Sequence, residues 1–362
     1  MTRLERLAAW IETENLDCVV AAGADHVNHL TGYWRYFAMP SAAVVGRDGK
    51  RTLALIQFEE QPARELSEAD QVVTYGERGF GLDLNPAAGL VELVAGIPDV
   101  ARAKRVGLAS ELPGVGEVLA GRLSAEVVDA APTLAKIRLV KDADELARIS
   151  ASYALCWRAQ RAVGDGARPG VEEIELFTAA QSAAQLGAGA PIEFVSDLLA
   201  GARAADVCCP AAFAGRDQVQ DGDGVVADIV VRANGYWGDS AETHFAGVND
   251  EVTAARSELL KILADAGRAL VPGATGAEVF AQVDKAIAAA FPGGEFPHHG
   301  GHGIGLGSFE DPHIIPTDHT PLEEGMVMAV EPGVYFPGRW GARVENLFLV
   351  TPDGGVELDG RR

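Results

Sequence analysis

Apolar residues recur at helical spacing from the start of the chain. Leu4, Leu7, Ala8 and Ile11 follow Thr2 and Glu5, a candidate capping box that predicts an opening helix. The short apolar run Cys18–Ala22 predicts a strand, and NHLTGY at Asn28–Tyr33 reads as a loop. AAVVG and RTLALI, joined through Asp48-Gly49, predict a hairpin over Ala42–Ile56. A strand at Val72–Tyr75, a helix at Ala87–Ala95, a strand at Val106–Ala109 and a helix at Val115–Leu123 come next. Strands alternating with helices predict an α/β layer over roughly the first 125 residues.

The pattern changes around Ala125–Val140. Asp142 and Glu145 form a second candidate capping box, opening a long helix to about Val163 that Pro169-Gly170 breaks. A helix at Val171–Leu186 and a strand at Ile192–Leu199 follow. Then comes Val225–Gly247, VVADIVVRANGYWGDSAETHFAG, in which two apolar alternating runs flank Asn234-Gly235. That dipeptide suits a two-residue turn whose central residues both need positive φ. With Ala233 paired to Tyr236, Val230 lies opposite Asp239 and Asp228 opposite Ala241, so both acids share one face as diagonal neighbours. At the roughly 7–8 Å of diagonal Cα atoms, two carboxylates can converge on a cation. The hairpin alone leaves two readings, a metal site or a solvated acidic face; Asp228 standing between Val225-Val226 and Ile229-Val230-Val231 weakens the second. Helices at Val252–Val271 and Gly276–Phe291 follow, the second introduced by Thr275 and Glu278, and the remainder is Gly-rich and then strand-like. Two helices then strands, twice, suggests a duplicated α+β unit.

Composition narrows the partners. The 362 residues leave room for two domains, and 48% hydrophobic with 23% charged residues is ordinary for a soluble globular protein. A net charge of −22, from 30 basic and 52 acidic residues, argues against nucleic acid and anionic membranes as partners, because phosphate binding needs a basic face. Met1–Asn15 carries Arg3, Glu5, Arg6, Glu12 and Glu14, unlike a signal peptide, and no apolar run reaches transmembrane length. The four cysteines, Cys18, Cys156, Cys208 and Cys209, form no CxxC pair or disulfide framework, which points to a reducing cytoplasm.

Four of the eight histidines crowd into His298–His313. In FPHHGGHGIGLGSFEDP, Phe296–Pro312, glycines let a histidine reach a shared centre, and His302 is the best ligand candidate. A flexible turn with incidental histidines is the alternative; a phosphate cradle is disfavoured because no GKS or GKT follows. In MVMAVEPGVYF, Met326–Phe336, Glu331 ends an apolar run and needs a partner. In ARVENLFLV, Ala342–Val350, Glu345 is a lone acid in an apolar strand, with Arg343 two residues earlier on the same face; a simple ion pair between them is the competing reading. Four acids and one imidazole make an oxygen-rich site that favours Mn or Co over thiolate-type zinc. Four carboxylates suit two divalent cations, which can activate a water and polarise a carbonyl, so amide hydrolysis is the simplest chemistry.

The ordered set Asp228, Asp239, His302, Glu331 and Glu345, in the strings NGYWGD, GHGIG, VEPGVY and ARVEN, resembles the pita-bread metallopeptidases. These include Xaa-Pro dipeptidase (prolidase), aminopeptidase P and methionine aminopeptidase. The match covers about Leu139–Pro352, and NHLTGY is similar to the prolidase/aminopeptidase P form of an N-terminal domain. The resemblance implies an α+β fold, with an N-terminal creatinase/prolidase-like α/β domain over 1–128 and a pita-bread catalytic domain over 129–362. It implies that Asp228 binds one metal, His302 and Glu331 the other, and that Asp239 and Glu345 bridge. Glu331 would also shuttle the proton of a metal-bridging hydroxide, His298 would lie near the substrate, and Tyr335 and Arg343 would help arrange it.

The chain departs from the family at several points. Phe309 stands where the family usually has a histidine, and Ser240-Ala241-Glu242-Thr243 replaces a common Ile-Thr-Arg-Thr. A histidine expected within about Gly201–Pro210 is missing, since none occurs between His29 and His244; Cys208 or Cys209 falls near its place. The implied activity is hydrolysis of Xaa-Pro bonds, chiefly in dipeptides, by a cytoplasmic homodimer with two manganese or cobalt ions, zinc being a third option. Aminopeptidase P activity on longer peptides, another hydrolase or lyase of the same fold, and a binding module without catalysis are the alternatives.

Overall fold

The computed structural model of the chain describes residues 1–76, 85–206 and 213–360. It divides into two compact units, Met1–Arg138 and Leu139–Arg362. The first contains α1 (Arg3–Thr13), β1 (Cys18–Ala22), α2 (Ala24–Thr31), β2 (Ala42–Gly46), β3 (Arg51–Ile56), α3 (Glu60–Leu66) and β4 (Gln71–Tyr75). It continues with α4 (Pro86–Gly96), α5 (Pro98–Ala101), β5 (Arg105–Ser110), α6 (Val115–Arg122), β6 (Glu126–Asp129) and α7 (Ala131–Leu139), whose last residue falls in the second unit. Its six strands form one sheet in the order β4-β3-β2-β1-β5-β6. β2 runs antiparallel to β1 and β3, and the other pairs are parallel.

Both sheet faces are covered, so the central strands are apolar throughout. Val19, Ala43 and Leu53 pack with Leu7 and Ile11 of α1 and Leu134 of α7. Val20, Val44 and Ala54 pack on the other side with Leu90 and Val94 of α4 and Leu119 of α6. The Thr2–Glu5 capping box forms at the start of α1. The stretch Asn28–Tyr33 is not the loop its composition suggests. It is mostly the second half of α2, which Gly32 ends in the left-handed region at φ 70°. His26, Asn28 and His29 are buried there alongside Val27 and Leu30, so tertiary packing overrides the polar look of the segment.

The second unit opens with α8 (Ala143–Gly166), α9 (Glu173–Ala188), β7 (Glu193–Ala200), β8 (Asp223–Ala233) and β9 (Tyr236–Ala246). Then follow α10 (Asp250–Ala269), α11 (Gly276–Ala290), β10 (Gly301–Gly303), β11 (Glu310–His313), β12 (Val327–Val330), β13 (Gly333–Phe336), β14 (Trp340–Arg343), β15 (Asn346–Leu349) and β16 (Val356–Glu357). The order is therefore two helices then strands, twice, and the capping boxes at Asp142 and Thr275 start α8 and α11. The sheets are β7-β8-β9, β11-β10-β12-β15-β16 and the pair β13-β14. Val163, Leu176 and Ala180 of α8 and α9 pack on Val225, Ile229 and Val231 of β8. Leu259, Leu263 and Val283 of α10 and α11 pack on Met328, Val330 and Phe348.

ARVENLFLV is not one strand. Val344 N bonds to Pro332 O at 3.2 Å and Glu345 N to Ala241 O at 2.8 Å, which pulls these two residues out between β14 and β15. Among the described residues no helix is long and apolar enough to cross a membrane.

Candidate metal centre

The hairpin β8–β9 is the base of the site. Ala233 pairs with Tyr236, Val230 with Asp239 and Asp228 with Ala241, and Asn234 and Gly235 turn the chain at φ 52° and 79°. Helix α8 braces the hairpin from behind. Ser152 Oγ accepts from Ala233 N at 3.1 Å and lies 2.8 Å from the Tyr236 carbonyl. Gln160 Nε2 donates to the carbonyls of Ala227 (3.0 Å) on β8 and Ser240 (2.9 Å) on β9. Gly238 lets the helix approach: a Cβ there would lie 2.3 Å from Tyr153 N and 2.5 Å from Ser152 C, both main-chain atoms. The face of β9 that carries Gly238 and Ser240 is thus occupied, and Asp239 projects from the other.

That other face opens on a cavity of about 410 Å³. Asp228, Asp239, His298, His302, Glu331, Arg343 and Glu345 all line it. Tyr335 is fully buried behind them. His302 sits on β10, whose glycines allow close approach: a Cβ on Gly301 would lie 2.0 Å from Ala329 O. His302 Nδ1 faces its neighbour's carbonyl, Gly303 O, at 2.9 Å, so that nitrogen donates and Nε2 is left for the cavity. His302 Nε2 lies 3.8 Å from both Asp239 Oδ2 and Glu331 Oε1. Asp239, His302 and Glu345 are buried, and each offers a ligand atom within 4.8 Å of the others'.

Arg343 is not paired with Glu345. Its Nη1 lies 2.5 Å from Asp228 Oδ2 and 3.8 Å from Asp197 Oδ2, because β14 carries it across toward β8. Its Nε donates to Tyr335 Oη at 2.8 Å, and Tyr335 Oη lies 2.9 Å from His298 Nε2. His298 Nδ1 faces the His299 carbonyl at 2.7 Å and must donate to it, so Nε2 accepts the tyrosine proton. One continuous chain of donors thus runs from Arg343 to the backbone of His299.

The electrostatics follow from burial. Burial pushes the Asp228 carboxyl up to about 6 against the pull of Arg343. Burial, then the charges of Asp228 and Glu331, raise Asp239 well above the usual carboxylate range, and burial with Asp239 does the same to Glu345. For Glu331 burial also acts upward, but His299, His298 and His302 outweigh it and hold the carboxyl at about 2. Burial, helped by Arg343, lowers His298 to about 4, which matches its place as an acceptor for Tyr335. Asp239 Oδ1 and Glu345 Oε1 are buried with no hydrogen-bond partner among the described residues. Orphaned, hard oxygen atoms beside an imidazole nitrogen fit divalent cations, which would supply the missing positive charge.

Two further side chains on the cavity wall carry no expectation from the sequence. Asp197 on β7 lies directly opposite Asp228 in the sheet. His299 places Nδ1 2.9 Å from Glu331 Oε1. A period-two acid in the strand before the hairpin, and the doubled histidine of PHHGG, were the available signals. Phe309 is 52% exposed, with its ring 4.5 Å from that of His302 and 5.0 Å from that of His299. The Ser240 hydroxyl faces Gln160 and the Glu242 carboxylate faces Arg256, both away from the cavity. Cys208 and Cys209 lie outside the described residues.

The probable dipeptidase PepE of Mycobacterium bovis is 32% identical over 274 residues, spanning 75% of this chain and 71% of that protein. The Xaa-Pro dipeptidase of Pyrococcus furiosus is 29% identical over 226 residues, 61% of this chain and 63% of that protein. The crystal structure of the prolidase from Pyrococcus horikoshii superposes with a TM-score of 0.80 at 24% identity, covering 98% of this chain and 97% of that one, so the two share a fold. The model of the creatinase/prolidase N-terminal domain matches residues 3–140, and that of metallopeptidase family M24 matches residues 147–352. With more than half of its length matched by that second model, and the orphaned oxygens of its cavity inside the matched region, the chain belongs to metallopeptidase family M24 and has the divalent-metal chemistry that membership implies.

Proposed function

We propose that the protein hydrolyses Xaa-Pro bonds, chiefly in dipeptides, with two manganese or cobalt ions. The observation that carries this reading is the convergence of Asp228, Asp239, His302, Glu331 and Glu345 on one cavity, with two buried carboxylate oxygens unpartnered. Asp228 would hold one cation, His302 and Glu331 the other, and Asp239 and Glu345 both. Bound there, the cations would make a water nucleophilic near neutral pH and polarise the scissile carbonyl. Glu331, which lines the same cavity, would move the water's proton to the leaving nitrogen. Arg343, fixed by Asp228 and Tyr335, orients the bound peptide, and His298 lies beside it. Val195 and Phe309, about half exposed, give the cavity an apolar rim suited to a proline ring and a hydrophobic first residue. A homodimer in the cytoplasm completes the reading; its support is the family resemblance and the two free, buried thiols Cys18 and Cys156.

The test is product release from Leu-Pro and from an Xaa-Pro-Xaa tripeptide by protein loaded with Mn or Co. Turnover of the dipeptide and little of the tripeptide is expected. Preference for the tripeptide would make the protein an aminopeptidase P. Turnover of neither, with metal bound, would sink the peptidase reading.

A further inference from the structure

The polar side chains around the cavity can be sorted by what already engages them. Asp228, Asp239, His302, Glu331 and Glu345 are the candidate ligands. Arg343 is held by Asp228, Asp197 and Tyr335. Both nitrogens of His298 are committed, one to the His299 carbonyl and the other to Tyr335. Among the described residues that line the cavity, this leaves His299 and Ser308 as the polar side chains still to be placed.

The two are not equivalent. His299 Nδ1 is buried 2.9 Å from Glu331 Oε1, which engages that nitrogen and leaves Nε2 as the other nitrogen of the ring. The rest of its side chain is 31% exposed, so the ring reaches from the buried acid out to the cavity. Its ring is 5.6 Å from that of His302 and edge-on to Phe309 at 5.0 Å, which places it between the candidate ligands and the apolar rim. Its backbone is fixed twice over: the carbonyl accepts from His298 Nδ1, and Gly300 N bonds to Ile314 O at 2.8 Å. An imidazole held this firmly, with one nitrogen on the acid that handles the proton and the second on a partly exposed ring at the cavity, is arranged for a ligand that arrives later.

We propose that His299 is the imidazole that meets the peptide substrate in this enzyme, hydrogen-bonding at the scissile amide, while His298 holds its backbone in place. The proposal rests on the peptidase reading and adds to it the side chain that contacts the reacting group. Phe309 cannot make such a bond, and its ring stands edge-on to that of His299 at 5.0 Å. A histidine at 309 would therefore present a donor to the same part of the cavity.

The experiment uses full-length protein loaded with Mn. Wild type, His299→Gln, His299→Ala, Ser308→Ala and the double variant His299→Gln/Phe309→His are compared. Metal content by elemental analysis and melting temperature are measured beside the kinetics of Leu-Pro. His299→Gln is expected to keep metal content and melting temperature, and to lose about 100-fold in kcat with KM changed by no more than about threefold. His299→Ala should lose as much or more, and Phe309→His in the Gln background should recover about tenfold. A kcat within about threefold of wild type in both single variants, a loss carried by Ser308→Ala instead, or a loss explained by missing metal would each overturn the proposal. If wild type does not turn over Leu-Pro, that dipeptide becomes a stable probe for calorimetry. Binding weakened about tenfold by His299→Gln would then uphold the contact and sink the hydrolysis, while no binding at all, or binding that His299→Gln leaves unchanged, would overturn the contact as well.

Discussion

Strand β9 carries two buried acids, Asp239 and Glu242, on opposite faces, and the two faces settle the charge in different ways. On one face Arg256 of α10 closes Glu242 with two bonds of 2.6 Å each. On the other, Asp239 meets Glu331, Asp228 and Glu345 and has one oxygen with no hydrogen-bond partner. Arg343 is the one arginine among the described residues lining that cavity, and it is spent on Asp228 and Asp197. The chain can therefore bring an arginine to a buried acid of this strand, and at Asp239 it does not. A carboxylate left that way is costly in a stable fold, and a bound cation is what makes it favourable.

The comparison predicts opposite outcomes for substitutions on the two faces. Asp239→Asn should lower Leu-Pro turnover by at least about 10³-fold, near 4 kcal/mol of barrier. It should also raise the melting temperature of chelator-treated protein, since a buried like charge is removed, and should shrink the stabilisation that added Mn gives wild type. Normal turnover in this variant would break the assignment. Gly238→Ala tests the brace between the faces. The new Cβ would collide with the main chain of Ser152 and Tyr153, so α8 must shift, with a loss of about 3 kcal/mol readable in denaturant melts.

Arg256→Met leaves Glu242 buried and unpaired. It should lose about 2 kcal/mol of stability, less than a fully buried pair because Arg256 is part-exposed, with turnover within about threefold of wild type. Glu242→Gln added to it should recover most of that loss, and a large activity change instead would mean the two faces are not independent. The smallest effect concerns His244, on the same face as Glu242, where burial holds the imidazole down at about 4 and Gln160 Oε1 lies 2.8 Å from Nε2. The unfolded chain takes up this proton near 6.5 and the folded one only near 4. The stability it contributes is thus full above pH 6.5 and is lost as pH falls toward 4, at up to ~1.4 kcal/mol per pH unit. His244→Gln should flatten that part of the acid limb in melts against pH.

The hairpin was legible because its signals are local. Asn234-Gly235 dictates the turn, the turn dictates the register, and period two dictates that Asp228 and Asp239 share a face. The capping boxes at Thr2, Asp142 and Thr275 were equally local, each closing within a single helical turn. Helix α2 was not legible, because its buried His26, Asn28 and His29 look like loop residues until neighbouring elements cover them. The single strand expected over Ala342–Val350, with Arg343 and Glu345 on one face, failed for a different reason. Those two residues lie within reach of each other along an extended chain, but the backbone bonds of Val344 and Glu345 to Pro332 and Ala241 break the strand between β14 and β15.

By itself, then, the sequence determined the two-part organisation of the elements, the hairpin and its register, and the kinds of side chain available for a metal centre. Only the tertiary structure decided which atoms are left over. Arg343 reaches Asp228, Arg256 reaches Glu242, His298 turns to Tyr335, and His299 remains at the cavity wall beside Glu331. The first of these pairings joins residues 115 positions apart. No local pattern encodes them, because they depend on which faces of separate elements the core brings together and which charges it buries there.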